Sequence, residues 1–181
     1  MNSDDFYGQE AFAVIGKYLS GTDIKDGAIV PYKLEPTLSP QGTVARGVCE
    51  ISGGYLKSVD ELLAIQKKDG KIYNTAPDGS IRLLDPQTPV SMNFWGFPEL
   101  VLPHLKKYFE EFIAASGKEL KSECYLPKAA DWFIQKDLIK IRSLEANSQW
   151  FGVTYKEDRE FAVKHLAELR TQGIYPDNLW V

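Results

Sequence analysis

Between Thr43 and Trp95 the chain keeps interrupting short apolar runs with tight-turn signals: Ser52-Gly53-Gly54, Asp69-Gly70 and Asp78-Gly79. Runs this short, closed by glycines that readily take positive φ, favour antiparallel hairpins over helices. Strands are expected over 28–34 and 43–51, joined by the turn Ser39-Pro40-Gln41-Gly42, with a further strand over 55–59. The polar stretch 67–85 reads as an excursion or flap of two short strands, and 89–95 as the next strand, closed by Gly96 and Pro98.

Helical periods flank this middle. Phe12, Ile15 and Leu19 share a face over 9–19, ended by Ser20-Gly21-Thr22. After Pro98, Val101, Leu105, Phe109, Phe112 and Ile113 form one stripe opposite Lys106, Lys107, Glu110 and Glu111, with Pro103 tolerated in the first turn. A helix over 126–135, a strand over 138–144 and a last helix follow. Thr154 with Glu157 fits a capping box for that helix, and Gly173 is a natural stop. The expected fold is α/β, a mixed sheet with an antiparallel hairpin insertion and flanking helices, in a single domain over 1–181.

Composition narrows the function classes. With 181 residues, 44% apolar and 12% aromatic, the chain can bury one real core. A net charge of -4, with both signs interspersed, argues against nucleic acid or an anionic membrane as partner. The acidic start carries no secretory signal pattern and no apolar run is long enough to span a bilayer, so a soluble cytoplasmic protein is expected. Cys49 and Cys124 are far apart and read as small apolar filler.

Three segments could carry chemistry. The first is Asp4-Asp5, ahead of Phe6-Tyr7-Gly8 and a helix. It is placed to hold a hard cation such as Mg2+ or, more plainly, to cap that helix. The second is Trp150-Phe151-Gly152-Val153-Thr154-Tyr155-Lys156, where Lys156 at a helix N-terminus could reach a phosphate; capping explains the same residues. The third is 42–48, a strand holding Arg46 and Gly47, where glycine marks either a bulge or the close approach of a ligand or another backbone. Glu61 and Glu123 are lone acids able to bind sugar hydroxyls or to stand solvated. His104 and His165 read as surface positions, and Trp95, Trp132 and Trp150 as core before pocket.

The opening Ser3-Asp4-Asp5-Phe6-Tyr7-Gly8 resembles the Asp-containing strand end of sugar-phosphate nucleotidyltransferases, the NDP-sugar pyrophosphorylase class. The resemblance continues through Tyr32-Lys33-Leu34, Gly42-Thr43-Val44-Ala45-Arg46-Gly47 and Val90-Ser91-Met92-Asn93-Phe94-Trp95-Gly96-Phe97. It runs on through Glu119-Leu120-Lys121-Ser122-Glu123-Cys124-Tyr125-Leu126-Pro127 and Trp150-Phe151-Gly152-Val153-Thr154, so it covers nearly the whole chain. It implies part of a Rossmann-like fold that joins a sugar 1-phosphate to a nucleoside triphosphate and releases pyrophosphate with the help of Mg2+. It also implies Asp4 as the catalytic, metal-binding aspartate with Asp5 beside it; Lys156, from its place at the helix N-terminus alone, is the second catalytic candidate. Gly47, Glu61, Asn93 and Glu123 would line the sugar-phosphate side. At the second metal position related enzymes carry an aspartate where this chain has Thr154, a weaker ligand.

The family's glycine-rich triphosphate loop has no counterpart in these residues. The chain is therefore expected to be a C-terminal part, catalytically poor alone, and either homo-oligomeric or in need of a missing N-terminal segment. A non-catalytic sugar-phosphate-binding or self-associating module, and a cytidylyltransferase acting on an alcohol phosphate such as phosphocholine, are the competing expectations.

Overall fold

The computed structural model describes residues 1–40, 42–152 and 158–178. The fold is α/β, with a mixed sheet and flanking helices. Strand β1 (Asp5–Phe6) leads into helix α1 (Gln9–Leu19); β2 (Gly27–Ile29) and β3 (Tyr32–Lys33) follow. Next come β4 (Val44–Ser52), β5 (Tyr55–Lys68), β6 (Lys71–Thr75), β7 (Ile81–Leu84), β8 (Pro89–Ser91) and β9 (Trp95–Gly96). Helices α2 (Leu102–Ser116) and α3 (Leu126–Gln135), strands β10 (Ile141–Ser143) and β11 (Phe151–Gly152), and helix α4 (Asp158–Thr171) complete the order.

The large sheet runs β3-β8-β4-β5-β10-β2-β9, with β6 on β5 and β7 on β6. Only the β2–β10 pair is parallel among the described strands; the rest are antiparallel. A separate two-stranded ladder joins β1 to β11, with Asp5 opposite Gly152 and Phe6 opposite Phe151.

Consecutive side chains of a strand point to opposite faces, and this divides the core in two. Val30, Val48 and Phe94 pack on one face with Tyr7, Ala11 and Ile15 of the α1 side. Their neighbours Ile29, Cys49 and Trp95 pack on the other with Ala129, Ala130 and Phe133 of α3. Helix α1 can sit close because Gly96 has no side chain: a Cβ there would stand 3.0 Å from Ile15.

Several expectations are corrected. The runs 28–34 and 43–51 do not form a hairpin across the turn at 39–42. β2 pairs with β10 and β9, β3 pairs with β8, and β8 lies between β3 and β4. Pro31, which has no N–H to give a ladder, marks the change of partner. The stretch 89–95 likewise splits at Asn93, whose φ of 61° is left-handed. Strand β5 is 14 residues long, well beyond 55–59. The stretch 67–85 is two strands as read, yet it is rooted in the core by Ile72 and Asn74.

Helix α1 is not capped by an aspartate. Gly8 is its N-cap without a side-chain bond, and the Ser148 hydroxyl accepts from the Ala11 N–H at 3.0 Å instead. Of the α1 stripe, Ile15 is buried while Phe12 and Leu19 are partly exposed. Cys124 is exposed, in contrast to buried Cys49. His165 is no surface residue: its ring lies 5.3 Å from Phe151 and stacks on Phe161 at 5.8 Å. Trp95 is buried as expected, while Trp132 and Trp150 are half-buried. The capping box at Thr154 and Glu157 lies outside the described residues. Among them, no helix is long and apolar enough to cross a membrane.

Candidate functional site

Strand β1 places Asp5 half-buried, and its Oδ2 accepts from the Asn2 amide at 3.0 Å and faces the Tyr7 hydroxyl at 3.2 Å. That hydroxyl has one proton for two acceptors, since Met92 O lies 2.8 Å away, while it accepts from the Asn2 N–H at 3.0 Å. Burial, with Asp5 close by, pushes the Tyr7 phenol above its ordinary range, so it stays a neutral donor. Asp5 Oδ1 has no donor among the described residues. It faces Gly152, where a Cβ would stand 3.2 Å away. Asp4 is exposed in the preceding turn.

Asn93 joins this cluster from the link between β8 and β9. Its amide reaches Asn2 Oδ1 at 3.4 Å, and its own oxygen accepts from the Trp95 indole at 3.5 Å. Two residues earlier, Ser91 sits beside Gly47, and across the ladder Gly47 pairs with Glu61. A Cβ on Gly47 would stand 2.8 Å from Val59 Cγ1 and 3.2 Å from Glu61 Oε2. The sharper clash is with Val59, and the absence of a Cβ also leaves the room into which the glutamate reaches over β4. Gly47 is not itself a bulge, since the register irregularities of β4 fall to either side of it, and what comes close to it are the side chains of Val59, Glu61 and Ser91.

Glu61 is half-buried, and desolvation raises its carboxyl above the ordinary range, against the opposing pull of Lys128 and Arg46. Glu123, exposed, connects to this end through Tyr125, whose phenol bonds its carboxylate and senses the charge of Glu61. The structure pairs Gly47 with Glu61 across the β4–β5 ladder and links Asn93 to Asp5 through Asn2; no direct contact joins the two groups among the described residues, and Glu123 stands exposed. Lys156 and Thr154 lie outside the described residues.

Reading the sequence singled out the segment around Arg46 without giving this arginine a role. In the structure it is a half-buried cation within electrostatic reach of Asp5 and Glu61. Its Nε donates to Thr37 Oγ1 at 3.3 Å, one N–H goes to Ala45 O at 2.7 Å, and another goes to Thr37 O. All these partners are neutral, and two of its five N–H groups have no partner among the described residues. The guanidinium lies 5.2 Å from the Trp150 ring. Desolvation lowers its pKa, while Asp5 and Glu61 act in the opposite direction through space. No carboxylate lies within ion-pair distance of it among the described residues. The signal available in the sequence was an arginine in a strand, next to a glycine.

A Mg2+ ion takes one or two carboxylates and fills its shell with phosphate oxygens and water. Asp5, with Oδ1 open, could supply one such carboxylate; Asp4 beside it in sequence is exposed. Among the described residues no group of three His, Cys, Asp or Glu could hold a metal unaided. No family model matches the chain, and no curated protein does.

Proposed function

We propose that this chain carries the sugar-phosphate side of a nucleotidyltransferase site, on a sheet of Rossmann-like descent. The observation that carries the reading is Arg46: a half-buried guanidinium whose bonded partners are neutral, with two N–H groups unpartnered among the described residues, within electrostatic reach of Asp5 and Glu61. A desolvated cation without a bound counter-charge is costly, and a phosphate monoester would offset that cost with charge-assisted bonds. Glu61, bent over Gly47, would accept from sugar hydroxyls, and the Asn93 amide would orient the ring. The parallel β2–β10 pair supports the descent from a Rossmann-like sheet.

In the reaction an oxygen of the sugar phosphate attacks the α-phosphorus of a nucleoside triphosphate. The bond from that phosphorus to the β-phosphate oxygen breaks, and pyrophosphate leaves. Asp4 and Asp5 would hold Mg2+, which when bound neutralises phosphate oxygens. Arg46 orients the attacking phosphate, so the chain contributes positioning and charge more than a nucleophile. The family's triphosphate loop is not among these 181 residues, and the proposal covers the sugar-phosphate side.

Calorimetric titration with hexose 1-phosphates in Mg2+ tests it, with the free hexoses and phosphocholine as comparisons. A hexose 1-phosphate is expected to bind at least ~10-fold more tightly than its hexose, and Arg46→Met to remove that difference. Binding of phosphocholine alone would assign the alcohol-phosphate branch. Failure of every phosphate ester to bind would end the reading.

A further inference from the structure

Helix α2 buries none of its residues. Its apolar stripe is wider than the body of the protein covers. Leu105, Tyr108 and Phe112 are half-buried on the inner side, where Tyr108 meets Trp132 of α3 at 5.6 Å. Leu102, Phe109 and Ile113 stand on the outer side, 61%, 51% and 49% exposed. At 100° per residue these three fall within about 40° of one another, so they form one ridge of about three turns.

Other exposed apolar residues are arranged differently. On α4, Phe161, Val163 and Leu166 scatter around the helix. The edge strand β7 shows Ile81 and Leu83, but between them Arg82 is paired with Asp60, a charged feature that discourages edge-to-edge pairing.

We propose that the outer ridge of α2 docks on the same ridge of a second copy of this chain, antiparallel, about a two-fold axis near Phe109. The charge pattern favours this occupant. In an antiparallel pair related by a two-fold, residues whose numbers have a constant sum come opposite one another. Leu102 and Ile113 share nearly the same sum as Lys106 and Glu110. The arrangement that sets Leu102 of one copy beside Ile113 of the other therefore also sets Lys106 beside Glu110. Lys106 and Glu110 lie on the same flank of the ridge, and their pairing within one chain is loose, 3.9 Å between largely exposed side chains. Across the two-fold each lysine gains a second carboxylate, twice per dimer. Phe109 lies at the centre, where a rigid aromatic side chain contributes most.

Sedimentation equilibrium of the full chain over a range of concentrations is the test. The wild type is expected to dimerise, and Phe109→Glu to sediment as a monomer with an unchanged circular dichroism spectrum. Lys106→Glu alone and Glu110→Lys alone each create two like-charge contacts and are expected to weaken the dimer about tenfold, while the double exchange restores it. These two side chains are exposed, so the exchange remains decisive should Phe109→Glu fail to fold. A monomeric wild type overturns the proposal. So does a dimer indifferent to Phe109→Glu, and so does a double exchange no tighter than the singles.

Discussion

Glu61 illustrates how a position suited to a ligand costs the folded state. Its carboxyl is drawn over β4 because Gly47 leaves the space, and desolvation there raises its pKa despite Lys128 and Arg46. A raised carboxyl means that the folded chain binds the proton more tightly than the unfolded chain. The stability belonging to neutral Glu61 is complete below the ordinary carboxyl range and is lost as pH climbs through the raised value. Glu61→Gln stays neutral throughout. In metal-free urea titrations its stability is expected to pull ahead of the wild type as pH rises above the ordinary carboxyl range. Parallel curves for the two proteins would mean that the carboxylate is not desolvated. The sequence offered Glu61 as a lone acid. Its neighbourhood arises from the β4–β5 register and the absence of a Cβ on Gly47, and neither can be read from residue types. Arg46 was named but given no role for a similar reason, since its neutral partners at Thr37 and Ala45 are ordinary backbone and hydroxyl groups.

At the scale of elements, legibility followed locality. Helices α1 and α3 lie where periodicity placed them, because a helix closes its hydrogen bonds within its own segment. The strands were found but mispaired, since a strand's partner is chosen by distant residues. Tyr32–Lys33 finds Pro89 and Val90, and Gly27–Ile29 finds 141–143. The β6–β7 excursion shows the same limit. Its polarity suggested a detachable flap, yet Ile72 is 2% exposed and the Asn74 side chain accepts from the Ala64 N–H at 3.1 Å. Leu83 on the outer face is 66% exposed. Ile72→Ala is therefore expected to cost about 2–5 kcal/mol in equilibrium unfolding, the range for a truncated core side chain. Leu83→Ala is expected to stay within about 0.5 kcal/mol. Equal effects at the two positions would show that the excursion is peripheral after all.

For the whole molecule, the decisive fact is that the two core clusters share their strands. Ile29 and Val30, Val48 and Cys49, and Phe94 and Trp95 are neighbours in sequence, and each pair is divided between the α1 face and the α3 face. A strand cannot keep its packing on one face after its backbone has left the ladder. The α1 layer, the sheet and the α2–α3 layer should consequently unfold together. Leu34→Ala removes a wholly buried side chain from the first cluster and Phe133→Ala one from the second, each costing several kcal/mol by cavity formation, about 3–5. Both are expected to shift a single urea transition, with tryptophan fluorescence and far-ultraviolet circular dichroism coincident in each variant. Should Phe133→Ala instead split the transition while Leu34→Ala does not, the α3 layer would be a separate unit. Asp5, Tyr7 and Asn93 belong to the α1 side, where Tyr7 packs in the first cluster, whereas Gly47 and Glu61 sit on the ladder both layers share. Only a sheet held from both faces keeps those two halves of the site in register.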